Sequence, residues 1–217
     1  KDPEGFWSEQ ALRLNWIKKW GTISNCDFEK AQVNWFEGGR LNVSYNCLDR
    51  HVEAGFGGQT ALVWEGNDPV EDKSYSYSEL LSEVCQFANV LKSHGIEKGD
   101  RVCIYLQMIP ELAIAMMACS RIGAIHSIVF GAFSPDALRD RINDSSCNVL
   151  VTQDTGVRGT NHNISMKTNA DKALSETPSI EKVFVVKRTG KNVTFTEGGS
   201  VTATNGSNTI NGTWAIT

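Results

Sequence analysis

The residues with the greatest capacity for chemistry in this 217-residue chain are six cysteines, four histidines, the glycine pairs at 38–39 and 57–58 and an arginine in a polar loop. Cys26, Cys47, Cys85, Cys103, Cys119 and Cys147 are scattered with no C-x-x-C pair, and they read as reduced thiols. Cys85, Cys103 and Cys119 sit within apolar segments, where a thiol packs as a small hydrophobe. His51, His94, His126 and His162 are equally dispersed, which leaves zinc without a ligand set. Gly38-Gly39 and Gly57-Gly58 are not followed by the Lys-Ser/Thr or the helix start of a phosphate loop, so they read as turns. The carboxylates form no persuasive acid-base pair. Neither a catalytic residue nor a metal ligand is therefore assigned. Taken alone, Arg158 reads as a solvated charge and Phe130 as core.

The elements that would carry these residues follow from periodicity. Residues 1 to 55 are rich in tryptophan and read as an irregular segment, with Trp7, Trp16, Trp20 and Trp35 as packing anchors. Ala61 to Glu65 reads as a short strand, and Gly66-Asn67-Asp68-Pro69 as a turn. Ser76-Tyr77-Ser78-Glu79 has capping-box spacing and opens a helix whose Leu80, Val84, Phe87, Ala88 and Leu91 share one face, with Gly95 beyond its end. Val102 to Leu106 is a buried strand, and Pro110-Glu111 opens a helix that is apolar around nearly its whole circumference from Leu112 to Cys119. Strand 124–130, a helix from Ser134 to about Asp144, strand 148–152, a weaker helix 169–175 and strand 182–186 continue the alternation. Strands separated by helices can pair in parallel only through crossovers, so the expected fold is an α/β, doubly wound, mostly parallel sheet with flanking helices over residues 56–190. Ligands in such sheets gather at the carboxyl ends of the strands, here the loops after Leu106, Phe130 and Thr152.

Composition excludes several classes of partner. The net charge is −4, with Lys and Arg interspersed among Asp and Glu, which argues against nucleic acid. No run approaches the roughly 18 apolar residues of a membrane span. A cytoplasmic protein is expected. Because the sequence starts at Lys1 and a removed leader stays open, so does the mitochondrial matrix.

Four stretches resemble the AMP-forming acetyl-CoA synthetases of the adenylate-forming superfamily: residues 35–51 (Trp-Phe-Glu-Gly-Gly-Arg-Leu-Asn-Val-Ser-Tyr-Asn-Cys-Leu-Asp-Arg-His), Lys98-Gly99-Asp100-Arg101-Val102, Met108-Ile109-Pro110-Glu111-Leu112, and residues 118–134 around Arg121-Ile122-Gly123-Ala124 and Val129-Phe130-Gly131-Ala132-Phe133-Ser134. The first and fourth stretches are specific to acetyl- and close short-chain acyl-CoA synthetases; the second marks only the superfamily. The likeness covers roughly residues 5 to 190. It implies the N-terminal part of the large domain of an enzyme that forms an acyl-adenylate from acetate and ATP, with Mg, and then transfers the acyl group to CoA. It also implies two contacts with the nucleotide end of CoA. Phe130-Gly131-Ala132 matches part of an adenine pocket, where a ring and a side-chain-poor backbone meet a flat base. Arg158-Gly159-Thr160-Asn161 matches a phosphate-binding loop, where the Arg158 guanidinium presents a planar fork of donors. Asn161 stands where family members commonly have a second basic residue.

The same family holds ATP phosphates with a Ser/Thr/Gly-rich loop followed by lysine, and no such run occurs here. The sequence is thus expected to be an N-terminal fragment that needs no cofactor of its own and is inactive alone, with apolar surface left uncovered around Leu112 to Cys119. Alternatives are a non-catalytic CoA-binding or scaffolding module and a propionyl-CoA synthetase fragment. Residues 191–217 form a divergent Thr/Gly/Asn-rich tail in which 193–196, 201–204 and 213–216 alternate as short strands would.

Overall fold

The structure is a computed structural model that describes residues 2–189 and the backbone of residues 214–216. The expected strands 193–196 and 201–204 lie outside the described residues. Strand β5 (Arg101–Leu106) is central, with β6 (Ile125–Phe130) on one side and β7 (Val149–Gln153) and then β10 (Lys182–Val186) on the other, all parallel. A short strand, β11 (Trp214–Ile216), adds to β10 in antiparallel fashion.

The chain leaves β5 through helix α3 (Pro110–Ile122) to reach β6, then crosses back through α4 (Pro135–Ser145) to β7 and through α5 (Met166–Leu174) to β10. Reversing the direction of travel while keeping right-handed crossovers puts helices on opposite faces, which is the doubly wound α/β arrangement. The two cores obey the period of two along the strands. Val102, Ile104 and Leu106 of β5 join Val149, Val151, Phe184 and Val186 under α3 and helix α2 (Tyr77–Ser93). Cys103 and Tyr105 join Leu150, Val183 and Val185 under α4 and α5, where Leu138, Ile142, Met166 and Ala170 are buried.

The helix boundaries arise locally. At Ser76 the capping box is complete: the Glu79 amide donates to Ser76 Oγ at 3.2 Å, and the Ser76 amide donates to Glu79 Oε2 at 2.8 Å. Gly95 and Gly123 adopt φ of +77° and +81°, the left-handed conformation that ends α2 and α3. Helix α5 starts at Met166, three residues before the position read from periodicity.

Two expectations need correction. The apolar surface of α3 is not left open: Ile114, Ala115, Ala118 and Cys119 are all buried to 2% exposure or less. Helix α2 packs along it, and the segment before α2 seats on its end, where Arg121 forms a two-point ion pair with Asp49 at 2.8 Å and Asn42 donates to the Ser120 and Arg121 carbonyls. Among the four parallel strands, the large apolar side chains left exposed are on the edge strand β6, at Ile125, Ile128 and Phe130.

The first 55 residues are also more regular than their pattern suggests. They contain helix α1 (Pro3–Ala11), an antiparallel hairpin of β1 (Thr22–Asp27) and β2 (Gln32–Glu37), and two π-helical turns, Tyr45–Asp49 and Val52–Phe56. Neither strand of the hairpin has a fully buried face, so no alternation betrays it. Trp16, Trp20 and Phe36 pack edge to face or tilted within 5.6 Å of one another. A second small sheet pairs β3 (Thr60–Trp64) with β4 (Lys73–Ser76), the latter hidden in a polar sequence.

Candidate functional site

Strands β5 and β7 are neighbours whose outgoing connections leave toward opposite faces of the sheet, and the crevice between such loops is where ligands enter this architecture. Two glutamines set its floor. The Gln107 amide donates to Gln153 Oε1 at 2.8 Å, and Gln153 Nε2 donates to the Thr155 carbonyl at 3.0 Å. Gln107 Oε1 accepts from the Val157 amide at 2.9 Å. Gln153 is buried and Gln107 half-buried, and their amides brace the backbone where it leaves the sheet. Asp154, 1% exposed, does the same for the end of β10 by accepting from the Thr155 amide at 2.6 Å and the Arg188 amide at 2.9 Å.

Above this floor lies a groove of about 490 Å³. Phe130, Gly131, Ala132 and Arg158 all line it. The two stretches singled out by resemblance, separated by more than 25 residues, therefore share one cavity. Gly131 is required by close approach: a Cβ there would lie 2.9 Å from the Leu106 carbonyl oxygen and 3.1 Å from the Gln107 nitrogen, both backbone atoms. Phe130 is 59% exposed, so the reading of that residue alone as core does not hold. It ends an edge strand and lines the groove, and its ring meets Phe133 edge-on at 5.9 Å. Phe133 in turn carries the Arg141 guanidinium over its ring at 4.5 Å. Tyr105 fixes that corner by donating its hydroxyl to the Phe133 carbonyl at 2.9 Å, and burial raises its phenol above the usual range, keeping the donor proton in place.

Arg158 is not in an irregular loop. It ends β8 (Gly156–Arg158), which pairs with β9 (Asn161–Ile164), so residues 158–161 form a hairpin turn with Gly159 at φ +56°. Thr160 and Asn161 are exposed outside the groove lining, and Asn161 Oδ1 is used locally, accepting from the Asn163 amide at 2.9 Å.

Sequence reasoning missed the segment after β3. Trp64 Nε1 donates to the Met108 carbonyl at 2.7 Å, Asn67 bonds to the Gly159 backbone, and Glu71 holds the Arg188 guanidinium at 2.5 Å, that guanidinium lying 5.2 Å from the Trp64 ring centre. Trp64, Asn67, Gln107 and Arg188 all line the groove. For the glutamines a signal existed: each is the first strongly polar residue after an apolar strand, Val-Cys-Ile-Tyr-Leu-Gln and Val-Leu-Val-Thr-Gln. For Asn67 and Arg188 none did.

A second cavity, about 530 Å³, lies beside Trp16, Tyr45 and the Asp49–Arg121 pair. Its charged groups are engaged with each other, and Tyr45 donates to Glu53 at 2.6 Å, which raises the phenol above its usual range. In the first groove the cation, exposed ring and bare backbone suit holding an anionic, flat ligand rather than making bonds.

Comparison with known proteins agrees with this architecture. Residues 48–207 match the model of the AMP-binding enzyme family, and residues 1–47 match that of the acetyl-coenzyme A synthetase N-terminus. The chain is 56% identical over 198 residues to acetyl-coenzyme A synthetase 2 of Pseudomonas putida, covering 91% of this chain and 30% of that protein. It is 55% identical to acetyl-coenzyme A synthetase of Alkalilimnicola ehrlichii over 198 residues, again 91% and 30%. For the Halorhodospira halophila enzyme of the same name the identity is 54% over 202 residues, 93% of this chain and 31% of the relative. The chain thus spans about 30% of the length of the relatives it matches. With its doubly wound sheet and its match to both family models, the chain belongs to the AMP-binding enzyme family and resembles the N-terminal part of its acetyl-coenzyme A synthetases.

Proposed function

We propose that this chain is the CoA-facing portion of an acetate-CoA ligase, and that its groove takes the nucleotide end of coenzyme A. The whole enzyme would join acetate and ATP, with Mg, into an acetyl-adenylate and pyrophosphate, after which the CoA thiol displaces AMP. In this reading residues 56–190 are the unit that carries the groove, 1–55 an N-terminal cover and 191–217 a divergent tail. The observation that carries the site is the meeting of Phe130-Gly131-Ala132 and Arg158 around one cavity. The exposed Phe130 ring would stack on adenine, Gly131 and Ala132 would let the base approach the backbone, and the Arg158 fork would bind phosphate oxygens. The Gly159-Thr160-Asn161 turn would set the reach of Arg158. The partners are small molecules; no helix among the described residues is long and apolar enough to cross a membrane, and a cytoplasmic site of action fits the scattered reduced thiols.

The test is calorimetric titration of CoA into the purified chain and its Arg158→Ala variant. A charged hydrogen bond contributes about 1.5 to 3 kcal/mol, so the variant should bind roughly 10- to 150-fold more weakly. Equal affinities would reject the assignment of the groove.

A further inference from the structure

The feature least explained by the sequence is Asn67. It sits in the connection between β3 and β4, 92 residues from the hairpin turn it touches. Its carboxamide is matched at both ends to the backbone of one residue: Nδ2 donates to the Gly159 carbonyl at 2.7 Å, and the Gly159 amide donates to Oδ1 at 2.7 Å. A primary amide can satisfy a donor and an acceptor together only when they are presented side by side, so this pairing fixes both position and orientation of the turn.

The turn needs such a tie. The β8–β9 hairpin is short, three and four residues, with an irregular register between Gly156 and Arg158, and two-stranded ribbons of this size are marginal by themselves. Gln107 holds the middle of β8 through the Val157 amide, and Asn67 ties the turn beyond it, next to Arg158. The connection that carries Asn67 is itself anchored on both sides: Trp64 bonds the Met108 carbonyl, and Glu71 bonds Arg188. Met108, Gly159 and Arg188 follow or lie beyond three different strands of the sheet, so the β3–β4 connection ties together the loops that frame the groove.

We infer that Asn67 is a positioning residue: it clamps the Arg158–Gly159 turn so that the Arg158 guanidinium is preorganised toward the phosphate of the ligand. This rests on the reading that the groove binds CoA. Preorganisation acts by removing the ordering cost from the binding step, and a mobile turn would make Arg158 supply that cost each time.

Two measurements on the full 217-residue chain test the clamp. Trypsin cuts after arginine, and cutting within a folded chain tracks local opening. Asn67→Ala should speed cleavage of the Arg158–Gly159 bond about tenfold or more, the expected effect of losing two ordinary hydrogen bonds, while leaving the thermal midpoint and cleavage elsewhere unchanged. Asn67→Asp, which keeps the acceptor for the Gly159 amide but loses the donor, should fall between. In the second measurement CoA is titrated into wild type, Asn67→Ala, Arg158→Ala and the double variant. Asn67→Ala should weaken binding, and in the double variant it should add little to the loss from Arg158→Ala, because it acts through that residue. Unchanged cleavage in Asn67→Ala overturns the clamp, as does an effect on CoA that persists in full when Arg158 is already absent. If Arg158→Ala weakens CoA and Asn67→Ala does not, only the inference about Asn67 fails. If Arg158→Ala has no effect, the reading of the groove fails and the positioning role falls with it.

Discussion

At Gly131 the main chain passes so close to the end of β5 that a methyl group has nowhere to go. Its neighbours at 2.9 and 3.1 Å are backbone atoms, which cannot rotate aside. Gly131→Ala should therefore cost about 1–3 kcal/mol, the usual penalty of overpacking, and should also displace the Phe130-Ala132 segment. Urea unfolding and CoA titration of the same variant check both consequences; a variant as stable as wild type would show that the two loops can part freely. Of the residues framing the groove, Phe130, Gly131, Ala132 and Arg158 could be named from the sequence because they lie in stretches resembling a family. Phe130 read in isolation misled, since a phenylalanine after an apolar strand carries the same local signal whether its strand is interior or at an edge. Only the position of β6 at the edge of the sheet, with the ring facing the groove, exposes it.

Among the elements, α3 illustrates what full burial does to a titratable group. Cys119 lies inside it at 0% exposure, and desolvation pushes its thiol from 9.0 up to about 12. The unfolded chain thus loses this proton first as pH rises, so the contribution is present below about pH 9 and declines between 9 and 12. At about 1.4 kcal/mol for each unit, the decline amounts to at most about 4 kcal/mol. Cys119→Ala should flatten that part of the alkaline fall in stability, measured as urea midpoints from pH 8 to 11. Parallel curves for variant and wild type would contradict it. The boundaries of α2, β5, β7 and β10 were legible because each combines a capping or turn signal with an unbroken apolar period. The hairpins were not. Strand β8 is three residues long, too short for any period, and β4 reads Lys-Ser-Tyr-Ser, pairing with β3 through backbone bonds to which side-chain pattern is blind.

For the molecule as a whole, the reversal of travel at β5 creates the crevice, and the crossovers place one hydrophobic core on each face of the sheet. Nothing in the 217 residues resembles the Ser/Thr/Gly-rich, lysine-terminated loop that would grip a triphosphate. Since adenylation needs acetate, ATP and catalytic groups held together on one scaffold, the purified chain should release no pyrophosphate from acetate and ATP above a protein-free blank. Release above that blank would refute this. The sequence by itself determined the family and the succession of strands and helices in the sheet, because motifs, caps and apolar periods are written over a few neighbouring residues. Only the tertiary structure decided that α3 is covered while β6 is bare, that Gln107 and Gln153 brace one floor, and that Asn67 holds a turn 92 residues away. Those relations depend on strand order and on the register between distant loops, and a contact between two polar side groups far apart in the chain leaves no periodic trace in either neighbourhood.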